Sequence, residues 1–344
     1  MRYKPESVPH RSLAGPLLGL SMLAIPVAQA AAAEVAGVTV GAGMRSSFTS
    51  TDFDGPGDSI NEFSLDNARL YLSGKVTDNI GFMFNTQYNS GNSVDVMDAA
   101  AQFSFSDQFN IWAGRFLPPS DRSNLYGPYY ASNWAVYVDG VQDGYPSAHT
   151  GRADGIMYWG QFGIAKVSAG AFDVPGASSG STVLGAARLQ LDFWDPEGGY
   201  YLNGTYYGEK DLFAVGIAAQ TASGEDAYSA DVLLEKKLGT GGVATFEAEY
   251  AKYDGLGGYG GNKSDGYYVL GAYLFPAMVG PGKFQLLGKF GTVSYEAVGP
   301  DTEVDTLEVD LNYLIKPFNA RISLYYLDLE SLSKTIGLGI QIQM

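Results

Sequence analysis

The sequence predicts an all-β protein, a transmembrane antiparallel β-barrel. Strand-length segments alternate between an oily and a polar face, tight turns alternate with longer polar loops, and long helical runs of Leu, Ala, Glu and Lys are missing. The last segment is the clearest. Ile336, Leu338, Ile340, Ile342 and Met344 alternate with Gly337, Gly339, Gln341 and Gln343, and at period two this puts one wholly apolar face against a small or polar one.

The same reading separates Ala68, Leu70 and Leu72 from Asn67, Arg69, Tyr71, Ser73 and Lys75. It separates Val183, Gly185, Ala187, Leu189 and Leu191 from Arg188, Gln190 and Asp192, and Leu307, Val309, Leu311, Tyr313 and Ile315 from Glu308, Asp310, Asn312 and Lys316. Ionised groups near mid-strand suit a wet lumen, with the apolar faces toward lipid. Thr77-Asp78-Asn79 and Ser106-Asp107-Gln108 read as tight turns, and Thr49 to Phe63 and Gly255 to Gly266 as longer loops. Phe82, Phe84, Tyr88, Phe103, Phe105, Phe109, Trp112, Tyr325 and Tyr326 near strand ends suit interfacial girdles.

Seventeen segments can be traced, from Thr39–Ser47 to Thr335–Met344. Bacterial barrels close with an even number, so one assignment is wrong. Turn parity is self-consistent from either end up to about Gly155 and from about Ala227, which places the mistake in the stretch containing Trp194-Asp195-Pro196-Glu197 and Gly208-Glu209-Lys210. The expectation is sixteen strands, with eighteen as the alternative.

Residues 1–30 read as an export signal: Arg2, Lys4 and Arg11 begin it, Leu13 to Val27 form an apolar stretch, and Ala28-Gln29-Ala30 offers a small-x-small cleavage site. No later segment supplies about 18 consecutive apolar residues for a helical span. The rest, 31–344, reads as a single barrel domain of the Gram-negative outer membrane. Loss of Arg2, Lys4, Arg11 and Glu6 leaves a net charge of −18, which argues against nucleic acid as a partner. Cysteine is absent, so disulfides, thiolate metal sites and covalent haem are not expected.

Residues 117–153 form the one long connection, with Pro118, Pro119, Pro128 and Pro146. Such loops are uncommon unless they carry function or lack fixed structure. In a barrel this one could turn inward and narrow the lumen.

The run Arg69-Leu70-Tyr71-Leu72-Ser73-Gly74-Lys75-Val76-Thr77-Asp78-Asn79-Ile80, with Phe109-Asn110-Ile111-Trp112-Ala113-Gly114-Arg115-Phe116-Leu117-Pro118-Pro119, resembles the phosphate-selective porin O and P family. There a strand ending in a Gly-Gln/Arg-Phe-x-x-Pro phrase leads into a pore-folding third loop. The resemblance implies a sixteen-stranded trimeric porin over residues 35–344, with distinctive phrases only in the first third. Phosphate-capturing members carry a dense arginine ladder, whereas only seven arginines follow residue 30 here, so phosphate selectivity does not carry over. The chain also ends in Met344 rather than the aromatic usual for such barrels.

Projecting the alternation puts Arg69, Lys75, Arg115, Lys166, Arg188, Lys289 and Arg321 in the lumen, with Asp231, Glu235, Glu247, Glu249, Glu308 and Asp310. Rows of opposite sign would set a field across the pore; solvated lumen charges without individual roles are the alternative. Arg115, Asp121, Arg122, Asp139 and Asp143 are the constriction candidates, unless Asp121 and Arg122 only pair on a surface turn.

The leading functional expectation is passive diffusion of small hydrophilic solutes or ions through a water-filled channel. Outer-membrane lipid and lipopolysaccharide are the expected surroundings, and a homotrimer the expected assembly. No cofactor or metal is expected. An outer-membrane barrel enzyme such as a lipase lacks support: His149 is the sole histidine after residue 30, Ser147 beside it does not make a triad, and Glu247 and Glu249 share a face without an evident cleft. A surface β-protein without channel activity is the third reading. A plugged active transporter is disfavoured by the short stretch between cleavage site and first strand. The negative balance points to cations, but charge at the constriction decides the sign.

Overall fold

The computed structural model describes residues 33–35, 37–55, 57, 59–89, 93–141, 151–174, 183–256, 263–296 and 302–344. The chain divides into two units, 1–31 and 32–344, and everything described lies in the second. The export-signal segment, Asp143, Ser147 and His149 lie outside the described residues.

A short strand β1 (Ala33–Val35) pairs back on β2 (Val38–Phe53). Then follow β3 (Ile60–Lys75), β4 (Ile80–Asn89), β5 (Val94–Ser106), β6 (Phe109–Phe116), helix α1 (Arg122–Tyr126), β7 (Ala153–Phe162), β8 (Ala165–Asp173) and β9 (Val183–Asp192). The second half holds β10 (Leu212–Ala222), β11 (Glu225–Lys237), β12 (Val243–Asp254), β13 (Ser264–Val279), β14 (Gly282–Tyr295), β15 (Thr302–Lys316), β16 (Ala320–Leu329) and β17 (Ser333–Gln343). From β2 to β17 each strand is antiparallel to its neighbour in sequence, and β17 returns to β2 with Ile340 opposite Ser46 and Gln343 opposite Gly43. Sixteen strands therefore close into a barrel and leave no edge between them, the condition for a sheet to survive in hydrocarbon.

The count settles on sixteen because residues 193–211, between β9 and β10, contain no strand. β9 and β10 pair directly, Leu189 opposite Ile217. The loop expected at 49–63 is shorter than its composition suggested, since β2 runs to Phe53 and β3 starts at Ile60.

Alternation decides which face is which. Along β17, Ile336, Leu338, Ile340 and Ile342 are exposed, whereas Gln341 is 1% exposed. Along β15, Leu307, Val309 and Leu311 point out while Glu308, Asp310 and Asn312 are buried. The polar rows are thus interior and the apolar rows form the belt that meets lipid.

Over β5 to β9 the interior changes character. Trp112, Phe116, Met157, Phe172 and Leu184 point inward and pack with Leu117, Leu125, Tyr200 and Leu202 from two loops. Trp112 and Tyr325 are therefore interior residues rather than girdle residues, since Tyr325 stacks on Trp134.

Candidate permeation site

Leaving β6 at the end of the barrel that carries the longer loops, residues 117–141 meet inward-facing side chains from most of the circumference. Asp121 caps α1, its carboxylate accepting from the Asn124 amide at 2.7 Å, and Gly127 at φ 66° ends the helix. Burial pushes the Asp121 carboxyl up, opposed by hydrogen bonds from Ser120 and Asn124.

Beyond α1 the chain is seated on acids of the far wall. The Trp134 amide donates to Glu308 at 2.9 Å and Asp310 at 2.8 Å, and the Ala135 amide to Glu308 at 2.6 Å. Arg321 donates to the carbonyls of Ala131 (2.8 Å) and Ser132 (2.9 Å), and Lys289 pairs with Asp139 at 2.5 Å. Tyr126 donates to Glu247 at 3.1 Å, and the Ser123 amide to Glu249 at 3.3 Å. A buried amide without a partner is costly, so strand carboxylates meeting loop amides satisfy both sides.

Trp134 is the centre of this seat. The Arg45 guanidinium lies 4.1 Å above its ring, and Gly339 makes room below, since a Cβ there would come within 2.4 Å of the indole.

Residues 193–211 come in from the opposite end. The Arg122 guanidinium faces the Glu197 carboxylate with two hydrogen bonds, one of 3.1 Å, and both side chains are fully buried. Arg188 holds Asp231 through bonds of 2.5 and 2.8 Å, and Asp231 lies 3.6 Å from Arg122. Burial pushes the Glu197 carboxyl up, but the Arg122 charge and hydrogen bonds outweigh this and hold it below the ordinary value.

Beside the two loops a cavity of about 1090 Å³ remains along β2 to β5. It extends from Thr39, Ser73 and Gln343 to Asp98 and Arg152, and its charged lining is Arg45, Asp66, Arg69, Asp98 and Arg152. Arg69 donates to Gln87 at 2.7 Å and lies over the Tyr129 ring. Asp98 accepts from Asn85 (2.8 Å), Arg152 (3.0 Å) and Tyr201 (3.1 Å).

Of the strand charges projected inward, Arg69, Lys166, Arg188, Lys289, Arg321, Asp231, Glu235, Glu247, Glu249, Glu308 and Asp310 all lie on inward rows, and Lys75 sits exposed at the rim of its row. Among these lumen charges only Arg69 reaches the cavity. The acids of the second half are engaged by loop amides, tyrosines and cations rather than forming an open row.

Arg115 departs from its expectation. Along β6 the buried positions are Asn110, Trp112 and Phe116, and Arg115 has the opposite parity, shared with the exposed Phe109 and the half-buried Ile111 and Ala113, so it lies on the outward face. There it pairs with Asp154 on β7 at 2.7 Å. The physical reason is that the inward row of β6 is claimed by the aromatic core, leaving the guanidinium to pair at the outer rim. Asp121, Arg122 and Asp139 are brought together with the far wall but are buried, so they brace the loop and do not line the cavity.

Arg45, Asp66, Asp98 and Arg152 were missed. Asp66 and Asp98 lie beside register shifts, at Arg45/Ser46 opposite β3 and at Asn85/Thr86 opposite β5. A bulge inserts a residue and reverses the parity beyond it, which strict alternation cannot follow. Arg45 was legible from β2 alone.

The family described as phosphate-selective porin O and P matches residues 38–125. No curated protein matches. Among solved structures, Pseudomonas putida OprB is similar with TM-score 0.64 and 10% identity, covering 90% of this chain and 94% of that one. An anion-selective porin from Comamonas acidovorans gives 0.60 and 15%, covering 89% and 99%. A trimer form of Vibrio cholerae OmpT gives 0.53 and 11%, covering 90% and 100%. The chain is an outer-membrane β-barrel of the sixteen-strand porin fold, and its stretch 38–125 matches the phosphate-selective porin O and P family.

Proposed function

We propose that the protein is an outer-membrane porin, a water-filled channel for passive diffusion of small hydrophilic solutes or ions, exported by residues 1–30 and assembled as a homotrimer among lipid and lipopolysaccharide. The observation that carries this reading is the cavity of about 1090 Å³ that persists beside the inward loops. A channel rather than an enzyme also fits Glu247 and Glu249, whose contacts with Tyr126, Tyr268 and Ser123 occupy them structurally.

Selectivity follows from the lining rather than from the whole chain. Three guanidiniums, Arg45, Arg69 and Arg152, face two carboxylates, Asp66 and Asp98. Local charge in a confined, low-dielectric passage outweighs distant charge screened by salt, so the path tilts toward anions although the chain is acidic.

Planar-bilayer recordings of purified protein should give discrete conductance steps, and a lasting absence of steps removes the channel. Reversal potentials across a salt gradient should shift toward cations in Arg69→Ala. An unchanged potential takes Arg69 out of the path.

A further inference from the structure

The barrel end that holds the start of β2 and the end of β17 is closed elsewhere by tight connections at 76–79, 107–108, 163–164, 238–242, 280–281 and 317–319. Residues 193–211 are the exception at that end: Phe193 to Pro196 are exposed, whereas Glu197, Tyr200, Leu202 and Gly204 to Tyr206 are buried. Thr205, Tyr206 and Gly208 hang from one carboxylate: Glu235 accepts from the Thr205 hydroxyl at 2.6 Å, the Tyr206 amide at 3.1 Å and the Gly208 amide at 2.8 Å. The left-handed turn at Tyr207 (φ 52°) and Gly208 (φ 82°) is fixed by that anchor.

From this base the segment rises onto the other loop. The Leu202 amide donates to the Leu125 carbonyl at 3.2 Å, the Gly204 amide to the Tyr130 carbonyl at 3.0 Å, and the Tyr200 hydroxyl to the Leu117 carbonyl at 2.8 Å. Gly204 suits this approach, because a Cβ would stand 3.1 Å from the Tyr126 ring, a tight contact. Arg122 closes the joint, bonding the Glu197 carboxylate and, at 3.0 Å, the Asn203 carbonyl. Glu197 is further held by Tyr206 (3.0 Å) and Gln190 (2.8 Å). Beyond the joint, Tyr201, Leu202 and Asn203 line the cavity, with the Tyr201 hydroxyl resting on Asp98 at 3.1 Å.

We propose that residues 193–211 are a second constriction element, a sill raised from the tight-turn end, with Tyr201 and Asn203 facing the permeating solute and Glu197 as the positioning residue that sets the sill against loop 117–141. This rests on the channel reading above. The aperture is then set by two loops clasped at Arg122 and Glu197, and the path is displaced to the β2–β5 wall. A clasp of two hydrogen bonds between planar groups fixes orientation as well as distance, which is what an aperture defined by two loops from opposite ends requires.

The chain has no cysteine, so a single introduced thiol reports alone. In Asn203→Cys channels held in a planar bilayer, a trimethylammonium-bearing methanethiosulfonate should cut the current at least about twofold and irreversibly, and leave wild type untouched. Conducting Asn203→Cys channels whose current is unmoved by the reagent overturn the sill, whether or not mass spectrometry finds the thiol labelled. A wild type without conductance overturns the channel reading instead. Glu197→Ala should raise open-channel conductance and noise, with Glu197→Gln between Glu197→Ala and wild type. Equal conductance in folded Glu197→Ala, judged by heat-modifiable migration, removes Glu197 as the positioning residue.

Discussion

At the scale of single residues, Trp134 shows how the interior is assembled. Its amide is shared by Glu308 and Asp310, its ring is stacked on Tyr325 with centroids 5.8 Å apart, and Arg45 covers it. Trp134→Ala should cost about 3–5 kcal/mol, read by thermal unfolding in detergent, and should broaden the channel-conductance distribution. Arg115→Ala should leave the reversal potential unchanged, because the guanidinium faces outward beside Asp154; a shift would place it in the path. Glu197 predicts an acid response. Its folded value is lowered from 4.5, so its stabilising contribution is complete above that value and is lost as pH falls through the lowered one. Conductance noise should rise only at pH below the ordinary glutamate value of 4.5, and Glu197→Gln should remove that step. Most inward charges were legible because each sits on a strand whose period is two. Arg115 was not, because no local rule says that an aromatic core will occupy the inward row of β6.

At the scale of elements, the glycines of β17 tie sequence to packing. Gly337 and Gly339 lie on the inward face, where a Cβ would meet the Tyr325 ring at 2.1 Å and the Trp134 ring at 2.4 Å. Gly339→Val should cost about 1–3 kcal/mol by overpacking and unseat loop 117–141. It would be seen as a lower unfolding temperature together with higher conductance, and an unchanged channel would refute the seat. The small residues of this face were visible in the sequence, but what they make room for was not, since Trp134 stands far away along the chain. Residues 193–211 show the same limit. Their Tyr content and short apolar runs resemble a strand, yet β9 and β10 pair directly, and Tyr200, Tyr201 and Leu202 turn instead into the interior cluster.

For the whole molecule, closure governs both stability and assembly. Each of the sixteen strands has partners on both sides, so unfolding has no free edge from which to begin. The exposed belt of apolar side chains calls for lipid or another subunit. The homotrimer expectation is checked by light scattering in detergent, where three chains per particle support it and one chain refutes it. The acidic balance of the chain is a property of its whole surface, whereas selectivity belongs to the five charged groups along the cavity.

An even strand count near sixteen, the orientation of most strand faces and the outer-membrane destination were legible in the sequence, because alternation and turn parity are local signals that a bilayer turns into a closed sheet. Tertiary structure alone decided which interior charges brace a loop and which meet water. That choice depends on Arg122 meeting Glu197, on Trp134 meeting Glu308 and on bulges that reverse parity. Such contacts join residues distant in the chain, and no period within a strand encodes them.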